Sequence, residues 1–231
     1  MASKLISAKE AVSHIKEGMT VLVGGFGIPG TPVHLVYALH DAGTKGLTLV
    51  KNDANEKDLG VGKLIASGQI DSLISSHIGL NSEAVAKMNS GEIKVDLYPQ
   101  GILAEKLRTA GAGLIAFISD IGIDTPIADS REKITVNGVK GMIETALYGD
   151  VALVHAAVAD IYGNCRFTGS AYNFNPVMAM AGRRVIVEAE EIVQPGGIHH
   201  DDIHLQSAFV DHVVKIPENA PDYGVLKHHA R

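Results

Sequence analysis

Residues 20–32 read Thr-Val-Leu-Val-Gly-Gly-Phe-Gly-Ile-Pro-Gly-Thr-Pro, an apolar run that stops in four glycines within seven positions. An apolar run broken in this way predicts a buried strand over 21–26. The glycines supply the positive φ values and close backbone approaches that a tight loop beyond its end requires. Thr31-Pro32 then opens a helix over 33–42, threonine serving as a cap and proline fitting the first turn. Strand, loop and helix in that order begin a parallel α/β unit, and the next hundred residues repeat the pattern.

Short apolar strands are predicted over 47–51, 72–77, 93–97 and 114–118, separated by helical segments over 59–67, 82–89 and 102–110. A first helix over 7–18 starts at Ser7, with Glu10 three residues on and Gly18 at its end. This alternation predicts an α/β fold: an open, mostly parallel sheet with helices on both faces. Asn137-Gly138 between extended segments 134–136 and 139–143 predicts a small hairpin, because that dipeptide accepts the two positive φ values of a type I′ turn. Residues 151–159 and 184–188 read as further buried strands. The stretch 119–133 is the longest irregular one and a candidate mobile flap. Without internal repeats or a Pro/Ser-rich linker, residues 1–231 are expected to form a single domain.

The chain's 46% hydrophobic content suffices for a substantial core, and its net charge of −6 with no basic block argues against nucleic-acid binding. A single cysteine, Cys165, excludes an intrachain disulfide and reads as a buried filler. The first residues lack an apolar leader and no run approaches the roughly 18 apolar residues of a membrane span. The expectation is a cytoplasmic protein with no membrane partner.

In an open parallel sheet, ligands bind beyond the carboxyl ends of the strands. Those ends carry 24–30, 52–55, 77–79 and 99–101, and all four should face one rim. Gly25-Phe26-Gly27-Ile28-Pro29-Gly30 also satisfies the G-x-G-x-x-G pattern of dinucleotide sites. Asp53, however, falls 28 positions after Gly25 rather than about 20, and Pro29 removes a backbone donor. An NAD-dependent enzyme is therefore the weakest reading. A metal site at His199, His200, Asp201, Asp202 and His204 lacks the helical frame of known motifs, so no metal is expected. His77 reads as a packed, hydrogen-bonded histidine more readily than as a base.

The motifs taken together carry more than any one of them. Val-Gly24-Gly25-Phe26-Gly27-Ile-Pro-Gly30-Thr-Pro, Asn52-Asp53-Ala54, Ser76-His77-Ile78-Gly79 and Pro99-Gln100-Gly101-Ile-Leu-Ala-Glu105 occur in order. Gly149-Asp150-Val-Ala-Leu-Val and Ser170-Ala-Tyr172-Asn173-Phe174-Asn175-Pro176 follow. In this the chain resembles the α subunits of the family I coenzyme A transferases, of 3-oxoacid or acetate/acetoacetate type.

The resemblance implies a ping-pong exchange of CoA between a short-chain acyl-CoA or 3-oxoacyl-CoA and a carboxylic acid, through a glutamyl-CoA thioester. It places the nucleophilic glutamate in a Glu-x-Gly motif of a β subunit, within an α2β2 heterotetramer. No Glu-x-Gly occurs here. It further implies Gln100 as the oxyanion donor, Gly24, Gly25, Phe26, Gly27, Ile28, Pro29 and Gly30 as the CoA-contacting loop, and Asn52 as a substrate contact. Coenzyme A would be a substrate, with no permanently bound cofactor. Tyr172 stands where the family often has arginine, and Asn55 where it tends to have glycine. A non-catalytic small-molecule sensor on the same frame is the competing reading.

Overall fold

The computed structural model describes residues 2–222. Seven strands make one continuous sheet in the order β11-β10-β8-β1-β2-β3-β4, every neighbouring pair parallel. They are β1 (Thr20–Val23), β2 (Leu47–Val50), β3 (Ile70–Ser75), β4 (Lys94–Leu97), β8 (Gly149–Asp160), β10 (Gly182–Val193) and β11 (His212–Lys215). A short β9 (Cys165–Arg166) adds antiparallel to β8.

Strand residues alternate between two cores, as the period of two requires. Val21, Val23, Leu47, Leu49, Val151 and Leu153 face one side, which α1 (Ala8–Val12), α2 (Val33–Ala42), α3 (Gly62–Ala66) and α4 (Ser82–Ser90) cover. Leu22, Val50, Ala152, Val154 and Val187 face the other, covered by α5 (Gln100–Gly111) and α6 (Asn175–Ala181). Helices on both faces of a mostly parallel sheet were legible in the sequence. Their four-to-two division was not.

Residues 114–118 depart from the expectation of another parallel strand. The strand is β5 (Ala116–Ser119), and it belongs to a separate antiparallel sheet of order β5-β7-β6, with β6 (Lys133–Val136) and β7 (Val139–Thr145). Helix α5 packs back against α6 so closely that a Cβ at Gly111 would lie 2.5 Å from Met180 Cβ, and the chain leaves the main sheet there. The predicted hairpin is β6–β7, with Asn137 at φ 50° and Gly138 at φ 81°. Helix α1 is shorter than expected. Ser7 caps it through the N–H of Glu10, but Ser13 Oγ takes the Glu10 carbonyl at 2.6 Å, a local bond that competes with helix continuation.

Leu22 is fully buried between the sheet and the α5/α6 layer. Leu22→Ala should cost about 2–5 kcal/mol, because a close-packed core refills the void only partly. Urea unfolding should show a lower midpoint with an unchanged slope; an unchanged midpoint would place Leu22 outside the core.

Candidate active site

The four segments expected at one rim do lie side by side, because β1, β2, β3 and β4 are consecutive in the sheet and parallel. Beyond β1, Gly25 (φ 102°), Gly27 (φ 61°) and Gly30 (φ 74°) turn the chain through conformations that only glycine adopts freely. The reasons differ along the loop. A Cβ at Gly24 would lie 1.9 Å from Asn175 Oδ1, and one at Gly30 would lie 2.6 Å from Asn175 Nδ2. Gly24 and Gly30 are therefore bare so that Asn175 can pack against both ends of the loop. Gly27 meets nothing closer than 3.7 Å and is the open side. Phe26 stands 49% exposed on the loop, whereas Ile28 is buried.

Asn175 is itself fully buried and fully bonded. Its Nδ2 donates to Gly30 O at 3.0 Å and Ala171 O at 2.8 Å, while its Oδ1 accepts from the His155 N–H at 3.0 Å. Asn173 Nδ2 donates to Pro29 O at 2.9 Å. Both asparagines stand in a family motif, and the sequence assigns neither a role. Nothing in the local pattern shows that they reach back across more than 140 positions.

The floor of the loop is ionic. The Gly27 carbonyl accepts from Thr31 Oγ1 and Asn55 Nδ2, each at 2.7 Å, and from Lys51 Nζ at 3.1 Å. The Gly27 N–H donates to Asp53 Oδ2 at 2.7 Å, and Lys51 Nζ lies 3.2 Å from Asp53 Oδ1. Asn55, at φ 50°, holds a left-handed conformation that asparagine tolerates better than most residues.

Burial pushes the Lys51 ammonium below its ordinary range, against the pull of Asp53. Burial alone would raise the Asp53 carboxyl. Lys51 and the N–H donors of Gly27, Asn55 and Asn52 outweigh it and hold Asp53 below the usual carboxylate range. Asp53 is 6% exposed and engaged by these groups, so it is not placed to receive a ribose hydroxyl.

Gln100 is the first residue of α5, set there by Pro99 and by the Tyr98 N–H bonded to Ser75 O at 2.9 Å. It is exposed, and its Nε2 donates to Asn52 Oδ1 at 2.9 Å. Asn52 is 2% exposed. Its Oδ1 also receives Ser76 Oγ at 2.8 Å, and its Nδ2 donates to Asp53 Oδ2 at 3.1 Å. Gln100 and Asn52, 48 positions apart in the chain, thus meet at the rim. Asn52 is bound within the protein and fixes the Gln100 amide. One N–H of Gln100 Nε2 is engaged by Asn52; the amide has a second.

The remaining sequence candidates fall elsewhere. His77 is exposed rather than packed, its ring lying over Gly79 and its main-chain N–H bonded to Asn52 O at 3.2 Å. A strand-end position beside a glycine leaves nothing to cover the ring. Cys165 is fully buried and burial pushes its thiol up, as a filler would behave. His199, His200 and Asp201 bring ligand atoms within 4.8 Å of one another, all exposed. No helix among the described residues is long and apolar enough to cross a membrane.

Residues 5–216 match the model of the coenzyme A transferase family. The chain belongs to that family. One relative is the first of two chains of a probable succinyl-CoA:3-ketoacid coenzyme A transferase from Bacillus subtilis. The identity is 44% over 93% of this chain and 90% of that protein. Another is the alpha chain of the acetate CoA-transferase of Escherichia coli K12, 39% identical over 95% of this chain and all of its own length. Among solved structures the chain superposes on an Escherichia coli O157:H7 acyl-CoA transferase, solved as a thioester complex with CoA. That match has a TM-score of 0.83 and 22% identity over 94% of this chain. It spans about half (48%) of that longer chain. The relatives in sequence are the α-type subunits of coenzyme A transferases, and the fold is that of the family.

The Lys51–Asp53 pair generates a stability test. Lys51→Met would leave a buried carboxylate without its cation, at a cost of about 3–5 kcal/mol. Because Asp53 is held below its ordinary value, its ionised form stabilises the fold above about pH 4 and that contribution fades as pH falls through the lowered pKa. The gap between wild type and Lys51→Met in urea midpoints should thus be widest near neutrality and narrow on acidification. A gap independent of pH would reject an ionised Asp53.

Proposed function

We propose that this chain is the α subunit of a heteromeric enzyme that moves CoA between a short-chain acyl-CoA or 3-oxoacyl-CoA and a carboxylic acid. The observation that carries the reading is the Gln100–Asn52 pair at the rim, beside the glycine loop and in a chain without a Glu-x-Gly motif. Attack of a carboxylate on a thioester carbonyl places negative charge on the carbonyl oxygen, and a preorganised donor stabilises it. The second N–H of Gln100 is that donor. Its partner on the other N–H, Asn52, keeps the amide from rotating, so little reorganisation accompanies the reaction.

The nucleophile comes from a β subunit. Its glutamate attacks the acyl carbon, a mixed anhydride forms and CoA leaves as thiolate. The thiolate then attacks the glutamyl carbon, releasing the carboxylic acid and leaving the glutamyl-CoA thioester. The acceptor acid reverses these steps. CoA is bound as substrate, along the glycine loop where Gly27 leaves open space and Phe26 offers an apolar surface.

Exposed apolar surface supports a permanent partner in an α2β2 assembly. Seven of the fourteen large apolar side chains exposed among the described residues fall between residues 114 and 139. The register of the small sheet sets Ile118 opposite Ile143 and Val136 opposite Val139, with Ile134 opposite Gly141. These aliphatic side chains share one face, and Met142 and Glu144, on the other, are buried. A soluble chain rarely leaves such a patch uncovered.

Co-expressed with a β subunit bearing Glu-x-Gly, the chain should exchange CoA from acetoacetyl-CoA to short carboxylates with ping-pong kinetics. Gln100→Ala should lower kcat by about 10²–10³-fold, the scale of one oxyanion donor, without weakening assembly. Wild-type kcat in Gln100→Ala, or full activity of this chain by itself, would overturn the reading.

A further inference from the structure

His155, in β8, lies outside the chemistry assigned to the rim, yet it is 3% exposed and makes contacts with both ends of the glycine-loop connection. Its ring lies between two carboxylates of β10: Nδ1 is 3.0 Å from Glu188 Oε1 and Nε2 is 3.2 Å from Glu190 Oε1. Ionised carboxylates only accept hydrogen bonds, so both ring nitrogens must carry protons to satisfy this geometry. A neutral imidazole would leave one nitrogen lone pair facing an oxygen. Glu188, fully buried, uses its second oxygen to accept the N–H of Leu35 at 2.8 Å, in the first turn of α2. Helix α2 follows the loop directly, and Pro32 at its cap position makes no side-chain hydrogen bond. A carboxylate there satisfies an orphan N–H and complements the positive end of the helix dipole.

The main chain of the same residue serves the other side. The His155 N–H donates to Asn175 Oδ1, and Asn175 packs against Gly24 and bonds Gly30. We propose that His155 is a positioning residue, a buried imidazolium that through Glu188 and Asn175 fixes the glycine loop and the helix that follows it. The groups facing it are the carboxylates Glu188 and Glu190 from β10, the neutral Asn175 amide from α6 and, by way of Glu188, the Leu35 N–H from α2. Burial alone would lower its pKa; hydrogen bonds and charge from the two glutamates override this and raise it to about 9. With the folded value raised, the tie is complete below about pH 6.5 and is lost as pH climbs through the folded value.

The functional part of this inference rests on the proposed acyl-CoA site, and the test separates the two. Nitrogen-15 NMR of the histidines in the full wild-type chain should show both His155 ring nitrogens protonated at pH 8, with titration near 9. A neutral His155 at pH 8 overturns the proposal. In His155→Gln, amide exchange at Leu35 and across residues 24–30 should rise about tenfold or more, the scale set by losing a charge-assisted bond. With the partner subunit present, kcat/KM for acyl-CoA should fall and its alkaline inflection near pH 9 should vanish. Unchanged exchange and an unchanged pH profile would reject the positioning role. Should His155→Gln fail to fold, Glu188→Gln carries the same readouts, together with a lowered His155 pKa. A charged His155 combined with an inert Gln100→Ala would reject the site and leave the tie standing.

Discussion

The buried Lys51–Asp53 ion pair is the interaction on which the rest of the rim depends. Removing two charges from water is costly, and a pair in isolation offsets little of that cost. Here the remaining bonding capacity is filled by groups that form the site. Lys51 bonds the Gly27 carbonyl and Asp53 bonds the Gly27 N–H, so one glycine residue is gripped from both sides. Asp53 also accepts from Asn52, whose other end orients Gln100. Loop, floor and oxyanion donor are one connected network, and no member can turn without breaking a bond to a buried charge or to a group that holds one.

His155 and its glutamates form a comparable ionic centre on β8 and β10. The loop is thus tied through Gly27 to one buried charge cluster and, through Asn175 and α2, to another. Loops that carry function are ordinarily among the least stable parts of a fold. This one is overdetermined, which suits a wall that must hold its shape while a flexible acyl-CoA chain moves past it.

Much of this is readable from the chain alone, for identifiable physical reasons. The apolar runs ending in Gly24–Gly30, Asn52 and Pro99-Gln100 locate strand ends, and parallel topology then forces those ends onto one rim. Gln100 and Asn52 stand out accordingly as individual residues. Their mutual bond does not, because side-chain pairing across 48 positions leaves no trace in local pattern. Asn175 and His155 escape notice as site residues for the same reason. The second sheet is half visible: Asn137-Gly138 announces the hairpin, while the departure of 116–119 from the main sheet depends on how α5 meets α6. Glycine is the most ambiguous signal. At Gly24 and Gly30 its bareness makes room for Asn175 rather than for a ligand, whereas Gly27 faces open space.

The distribution of charge around Gln100 bears on the proposed chemistry. A lysine or arginine at the rim would stabilise an oxyanion more strongly than an amide does, but it would also form an ion pair with the carboxylate nucleophile of the partner and stabilise the ground state. Interactions equal in ground and transition states do not accelerate the chemical step. This chain has a cation within two bonded residues of Gln100, at Lys51, and keeps it fully buried against Asp53. What reaches the rim is the neutral amide of Gln100, backed by Asn52 and held in place by charges that do not themselves face the substrate. The ion pair therefore supplies rigidity without supplying charge, which is the combination required of a donor that acts only when the oxygen opposite it becomes negative.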